Sequence, residues 1–402
     1  MAALKSTTPE SSPDLEKQAL LADKSQQPQT FGAIENPGKK TPIGLHHHDE
    51  WDSTAYDISL MTSWQAFRMV QGSAWDNMCI WKTMFWAVVL SCFVAFAACQ
   101  SSEALLIKRE KIQKLGTFLC VFVGMLLGFF LSSSVTRWHG CVKAFMELLD
   151  AVRSMHMQMT ALGVDRHRAV TLSRYGILSA WLLHLSLNPG NKERQLSQQK
   201  KMWSWLEQIR PHLVLPEEKE LLLKHKECYA LVWTWVASLI GRMSQDGEIP
   251  PMASPTYGRI INIVEMAYGS IRDVRTMNLV KAPFVYVHTL SILVLVNTIL
   301  NAISFGIVLG MTLEVATGKN DGKHSKDLSK FVISLLMEFF ISMVVPFLYL
   351  ALLDVCVCIS QPFTFEDSKI PSLQFIRSLE QDIANATVMG DNTEWLKPRF
   401  KK

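Results

Sequence analysis

Few residues of this chain have the type and spacing to do chemistry. Glu338 and Asp354 stand in an otherwise uncharged stretch, 331–359, and His288 stands in another. Two carboxylates and an imidazole could carry general acid–base steps. These three are scattered over two apolar segments and do not form a site, so pairing or a cavity-facing position suits them better. His46, His47, His48 and Asp49 are metal-ligating types in a row, but the tract is compositional and a solvated tail is the expected reading. Of the eight cysteines, Cys356 and Cys358 are two apart and fall on different faces of a helix, and no C-x-x-C pair has a partner at metal spacing. Reduced, buried thiols are expected rather than a disulfide framework. The chain also lacks a phosphate-binding glycine loop, a nucleophile elbow and paired catalytic carboxylates. With nothing to supply chemistry or energy coupling, an enzyme is not expected, nor a confident metal site, nor a nucleic-acid partner.

What the chain has in quantity is apolar length. Its residues are 49% hydrophobic, with 12 Trp and 20 Phe, and only 19% are charged, which is lopsided for a soluble protein. The segments 83–102, 115–136 and 282–313 contain no Asp, Glu, Lys or Arg. A bilayer-crossing helix needs about 20 predominantly apolar residues, so three spans follow, and 331–359 makes a fourth. Buried helices of a soluble core would need still more helices to cover these all-round apolar ones. The predicted fold is all-α and integral to a membrane, with lipid as a partner of every span.

Five regions follow from the charge pattern. Residues 1–53 are rich in Ser, Pro, Gln, Lys and Glu and are expected to be a disordered tail, without the features of a secretory signal or an ordinary transit peptide. Residues 54–136 hold an amphipathic lead-in and spans one and two, and 137–281 form a domain-sized insert with more basic than acidic side chains. Residues 282–360 hold spans three and four, and 361–402 a C-terminal segment. Within the insert, Tyr175–Leu187 and Cys228–Ile240 read as helices too short to cross a membrane, with polar linkers around Asn188–Gln199 and Pro211–Glu220. The run from Tyr229 to Val236 could pack in the insert or re-enter the membrane. Lysines flank both the first and the third span, so a count of positive charges does not orient the protein.

Two stripes mark the second span. Gly124, Gly128 and Ser132 recur every four residues, a small-xxx-small pattern that permits close approach of a neighbouring helix. One residue on, about 100° around the helix, Val121, Met125 and Phe129 make a parallel stripe of larger apolar groups, which could touch lipid, pack on a neighbour or line a passage. In the third span Asn297, Asn301 and Ser304 share a face, for inter-helix hydrogen bonds or for direct contact with ions.

Several motifs resemble those of bestrophins. Gly128 to Trp138, reading GFFLSSSVTRW, is similar to the stretch leading into that family's Thr-Arg-Trp signature. Phe67 to Trp75 resembles its amphipathic lead-in with Gly-Ser, and Arg174-Tyr175 its opening of a middle helix. Ala282 to Tyr286 resembles its Pro-x-x-Tyr, and Gln361-Pro362-Phe363 its Asn-Pro-Phe. Five motifs in order cover roughly residues 54–385.

The resemblance implies a homopentamer around one central pore, with both termini and the insert in the cytosol. It implies passive flow of chloride, and of bicarbonate, through a channel lined by the second span. Val121, Met125 and Phe129 match the three apolar positions of the family's pore neck, where an apolar ring can gate by dewetting. Met125 stands where the family usually has an aromatic residue, and Phe122 lies near its neck proline. Pro255-Thr256 matches a second, cytosolic aperture, although a helix starting with an early proline reads equally well there. Animal members hold calcium in acids after Asn-Pro-Phe. Here only Glu366 and Asp367 remain, too few for a site wanting six to eight oxygens, so calcium dependence is expected to be weak or absent. A secondary anion or bicarbonate transporter is the other reading, although such folds usually show repeated halves and broken helices, for which Pro346 is the candidate break. The host is a plasma membrane or a photosynthetic or other organellar membrane.

Overall fold

The structure, a computed structural model, describes residues 74–100, 102–187, 203–251 except 205, 209 and 226, then 254–316, 328–363 and 370–391. Among these residues the only regular structure is helical. Four helices are long and apolar enough to cross a membrane, so the chain is an integral, multi-pass membrane protein of all-α class.

Helix α1, Met78–Gln100, begins where the Asn77 side chain accepts the amide of Cys79 at 2.9 Å, a side-chain cap for an otherwise orphaned N–H. Ahead of it, Trp81 Nε1 donates to the Trp75 carbonyl at 2.8 Å, and the Trp75 ring lies 4.4 Å from that of Phe347. Most of α1 is exposed and apolar, as a lipid-facing helix should be, and its buried residues include Ser91, Ala95 and Ala98. Against them lies α7, Phe284–Ala316. Side chains at Gly306 or Gly310 would put a Cβ 2.6 Å from the carbonyl oxygen of Ser91 or Ala95. The two backbones therefore touch, Ser91 Oγ donates to the Ala302 carbonyl at 2.9 Å, and Cys99 Sγ reaches the Gly310 carbonyl at 3.3 Å.

Helix α2, Ser102–Ala161, is 60 residues long, or about 90 Å at 1.5 Å per residue. Since the hydrocarbon core of a bilayer is about 30 Å thick, α2 crosses it and continues as the strut of the insert. The expected boundary between residues 136 and 137 falls inside this one helix. Gly163, at φ +70, ends it in a Schellman turn, with the amides of Gly163 and Val164 bonded to the carbonyls of Thr160 and Met159.

Helix α3, Arg166–Leu187, starts behind Asp165, whose carboxylate accepts the amide of His167 at 3.0 Å. Arg174 and Tyr175 therefore lie two turns inside this helix instead of opening it, because Asp165 provides the earlier cap. Gly176 lets α3 lie on α2, since a Cβ there would meet Val152 at 2.6 Å. The insert is completed by α4, Pro216–Leu223, α5, Cys228–Gln245, and α6, Ser254–Leu279. Proline at the first position of α4 starts a helix inside the segment expected as a linker. Tyr229, Val232, Trp233 and Val236 are buried in the insert core, so the apolar run that could have re-entered the membrane is a core helix. Ser179 bonds α3 to α5 by donating to the Tyr229 carbonyl and accepting from Trp233 Nε1. Helix α8, Leu328–Ile359, runs without a break through Pro346. Helix α9, Ser372–Asp391, closes the insert, burying Ile376, Leu379 and Ile383 and pairing Asp382 with Arg153 and Glu380 with Arg210. All eight cysteines are free thiols, and burial pushes Cys228 up to about 11, which leaves it inert.

Two predictions follow from this packing. Gly310→Val should force α1 and α7 apart, costing about 1–3 kcal/mol. A wild-type melting curve in detergent would show that the backbones do not touch as described. In the insert, Glu218 takes a bidentate grip from Arg174 at 2.6 and 2.8 Å, with Tyr175 Oη and the Leu215 amide adding bonds. Burial alone would raise the Glu218 pKa, but the hydrogen bonds from Arg174, Leu215 and Tyr175 bring it below the ordinary carboxylate value. Its stabilisation is therefore present above the unfolded-state pKa, about 4.3, and is lost as pH falls through the folded value. Glu218→Gln should destabilise the protein by about 3 kcal/mol at neutral pH, because Arg174 is left unpaired. The gap to wild type should close on acidification, which pH-dependent thermal denaturation reads directly.

Candidate functional site

The site residues expected from sequence gather on α2, and the protomer leaves them uncovered. Its buried face carries Val123, Leu127 and Phe130, packed with Leu290 and Val294 of α7 and Cys356 of α8. On the far side Val121, Met125 and Phe129 are 71%, 51% and 63% exposed. At 100° per residue the same exposed face continues through Ser132 and Thr136 to His139 and Lys143, all exposed. One surface therefore passes from apolar groups, through hydroxyls, to bases as α2 leaves the membrane.

Gly124 meets Tyr349 of α8, whose hydroxyl would lie 3.5 Å from an added Cβ; Gly128 has nothing within 4 Å; Ser132 is exposed. Within the protomer the tight small-residue approach is made by Gly306 and Gly310 of α7. These were visible in the sequence as glycines in a span, but nothing in the sequence told which neighbour they would meet.

Hydrogen bonds hold α2 from behind. Tyr349 Oη donates to the Cys120 carbonyl at 2.9 Å, and Tyr286 Oη to the Leu126 carbonyl at 3.0 Å. Cys120 Sγ donates to Asn297 Oδ1 at 3.2 Å, and behind α2 the Ser342 Oγ of α8 donates to the Asn301 carbonyl of α7 at 3.3 Å. Asn297 is 0% exposed, so this polar face of α7 is turned to its neighbouring spans. Ser304 and the two acids in α8, Glu338 and Asp354, are half-buried. Neither acid has a hydrogen bond or ion pair among the described residues, and His288 stacks on Phe284 at 5.2 Å. These ionisable groups are not brought together.

Pro255 is exposed in the first turn of α6. The side chain of Thr256, together with Glu366, Asp367 and the tract from His46 to Asp49, lies outside the described residues. Sequence reasoning passed over Arg137 as a contact residue. Its Nε donates to the Met277 carbonyl at 2.8 Å and its Nη2 reaches the same oxygen, tying α2 to the last turn of α6. Its signal was a place in the Thr-Arg-Trp signature, at the first charge after the second span.

A family model described as "Bestrophin, RFP-TM, chloride channel" matches residues 51–370. A bacterial bestrophin homologue from Klebsiella pneumoniae, solved by zinc phasing, superposes with a TM-score of 0.57 at 16% identity, covering 77% of this chain and 98% of that one. A point mutant of the Klebsiella homologue gives the same TM-score, identity and coverages. The crystal structure of a membrane-protein variant gives a TM-score of 0.60 at 15% identity, over 77% of this chain and 99% of that one. Among curated proteins, no sequence matches.

Proposed function

This chain belongs to the bestrophin family, and from that premise we propose that it is one subunit of a pentameric anion channel, passing chloride and bicarbonate passively. The pore is lined by α2 and gated where Val121, Met125 and Phe129 face it. The observation that carries this reading is the graded, uncovered face of α2. A ring of apolar side chains stays dry when narrow and conducts when it widens. Below it, the hydroxyls of Ser132 and Thr136 and the imidazole of His139 offer donors to a partly dehydrated anion, and Lys143, 3.8 Å from Glu147, follows at the mouth. One helix is a wall, so several copies must close the ring, and the family gives five. The insert then lies in the cytosol, and the start of α6 at Pro255 and Thr256 forms a second aperture.

Passive flow is supported over alternating access by the unbroken course of α7 and α8, since transporters of anions generally break helices at the midplane. Planar-bilayer recording of the purified protein under a chloride gradient should give currents reversing near the chloride potential, and native mass spectrometry should give a pentamer. Solute exchange without current would make it a transporter. Replacing Val121, Met125 and Phe129 together by Ala should wet the neck and raise open probability severalfold, with anion-over-cation preference retained. If open probability stays put while Gly124→Leu and Gly128→Leu change conduction but not assembly, the glycine stripe faces the pore instead.

We further propose that calcium does not govern opening. Only Glu366 and Asp367 follow Gln361-Pro362-Phe363, and Ser360, just before that motif, lines a cavity with Arg137 and Lys281, whose charge disfavours a cation nearby. Chelating calcium with EGTA during recording should leave open probability unchanged. A steep activation at micromolar calcium that disappears in the double variant Glu366→Gln, Asp367→Asn would overturn this.

A further inference from the structure

A cavity of about 210 Å³ opens where three spans part on the insert side. Ser133, Ser134 and Arg137 of α2 line it, with Lys281 before α7 and Ser360 after α8. These α2 residues lie on the side of the helix away from Val121, so the cavity is separate from the exposed stripe.

Its chemistry is that of an anion site. Arg137 spends Nε and Nη2 on the Met277 carbonyl, which leaves Nη1 of its five-donor fork unused. Lys281 is exposed and has neither hydrogen bond nor ion pair among the described residues. Ser134 is only 3% exposed, yet its hydroxyl has no partner among the described residues. The buried serines Ser91, Ser173 and Ser270 each bond to the carbonyl four residues back. Ser134 thus lines the cavity beside two cations with a hydroxyl free to donate to an acceptor. No described carboxylate lines the cavity to supply one.

The surroundings say what carries that acceptor. Arg137 is the first charge after the uncharged stretch 115–136, and Lys281 the last before the uncharged stretch 282–313. Both therefore sit at headgroup depth. Apolar Phe130, Val280 and Ala282 complete the wall, and beside it the large apolar side chains of Leu279, Phe284 and Val285 are exposed.

We propose that this cavity binds the phosphate of an anionic lipid headgroup, held by Arg137 Nη1, Lys281 Nζ and the Ser134 hydroxyl, with an acyl chain along Leu279 and Phe284. Basic pockets between spans bind such headgroups, and guanidinium and ammonium groups both suit phosphate. The site does not depend on whether the chain conducts ions.

The test is native mass spectrometry of the full-length protein in a delipidating detergent, titrated with phosphatidylglycerol, phosphatidylcholine or inorganic phosphate. Lys281→Gln and Ser134→Ala leave the Arg137 contact with α6 intact, and size exclusion checks that each assembles as wild type does. Phosphatidylglycerol should bind in preference to phosphatidylcholine. Lys281→Gln should weaken it about fivefold, as expected for one basic group at a membrane surface, and Ser134→Ala should weaken it as well. Displacement by millimolar inorganic phosphate would support the site with the free anion as its ligand, and no displacement supports the lipid. Equal binding of the two lipids, or phosphatidylglycerol binding untouched by both variants, would overturn the proposal.

Discussion

The structure depends on α2 remaining one uninterrupted helix across two solvents. In hydrocarbon every backbone polar group must be bonded within the segment, and a 60-residue helix does this through the bilayer and beyond it. The price is rigidity: the membrane part and the insert cannot turn independently about residue 137. Everything else is arranged along this rod. Helices α7 and α8 pack on its upper half, α3, α6 and α9 on its lower half, and Arg137 fastens the last turn of α6 to it at the level where the solvent changes.

That arrangement divides the faces of α2 by function. Val123, Leu127 and Phe130 are spent on the protomer's own core. The face of Val121 and Met125 is left uncovered, and the side carrying Ser134 and Arg137 borders the cavity where the spans part. In water an exposed stripe of large apolar residues would be a liability, but here it must meet lipid or further protein. The hydroxyls and bases that continue it are poorly suited to lipid at depth. This mixture sets the α2 face apart from the outer face of α1, where Phe85, Trp86, Phe93 and Phe96 are apolar throughout.

Much of this was legible in the sequence because a charge-free stretch of bilayer length has few other physical uses. The four spans were read that way, the helices of the insert from shorter apolar runs, and the family from motifs of a few residues each. Partners across helices could not be read. Gly306 and Gly310 became the tight contact only because Ser91 and Ala95 lie opposite, and periodicity in one helix carries no information about its neighbour. Arg174 is a similar case: as one member of a pair it could suggest a helix start, but its bond to Glu218, 44 residues away, makes it an internal brace. The cavity at Arg137 and Lys281 joins residues far apart in the chain, so local spacing gave no sign of it.

The hydrogen bonds behind α2 bear on how its exposed face can move. Tyr349 Oη and Tyr286 Oη donate to carbonyls of Cys120 and Leu126, beside and between the apolar stripe residues, and Asn297 accepts from the Cys120 thiol. Each bond fixes the height and rotation of α2 against α7 or α8, in surroundings where a broken bond finds no water to replace it. Shifting Val121, Met125 and Phe129 together by moving α2 alone would break these bonds at once. The cheaper movement carries α2, α7 and α8 as one body, or turns the apolar side chains between rotamers while the helix stays in place, since exposed side chains change rotamer at little cost. Because α2 continues as the strut of the insert, a rigid-body movement would also carry the last turn of α6 through the Arg137 bond to Met277. Rotamer changes would leave the insert where it is. The two routes thus differ in whether the membrane and insert ends of the protein move together, and the length of α2 makes the coupled route unavoidable for any movement that displaces its backbone.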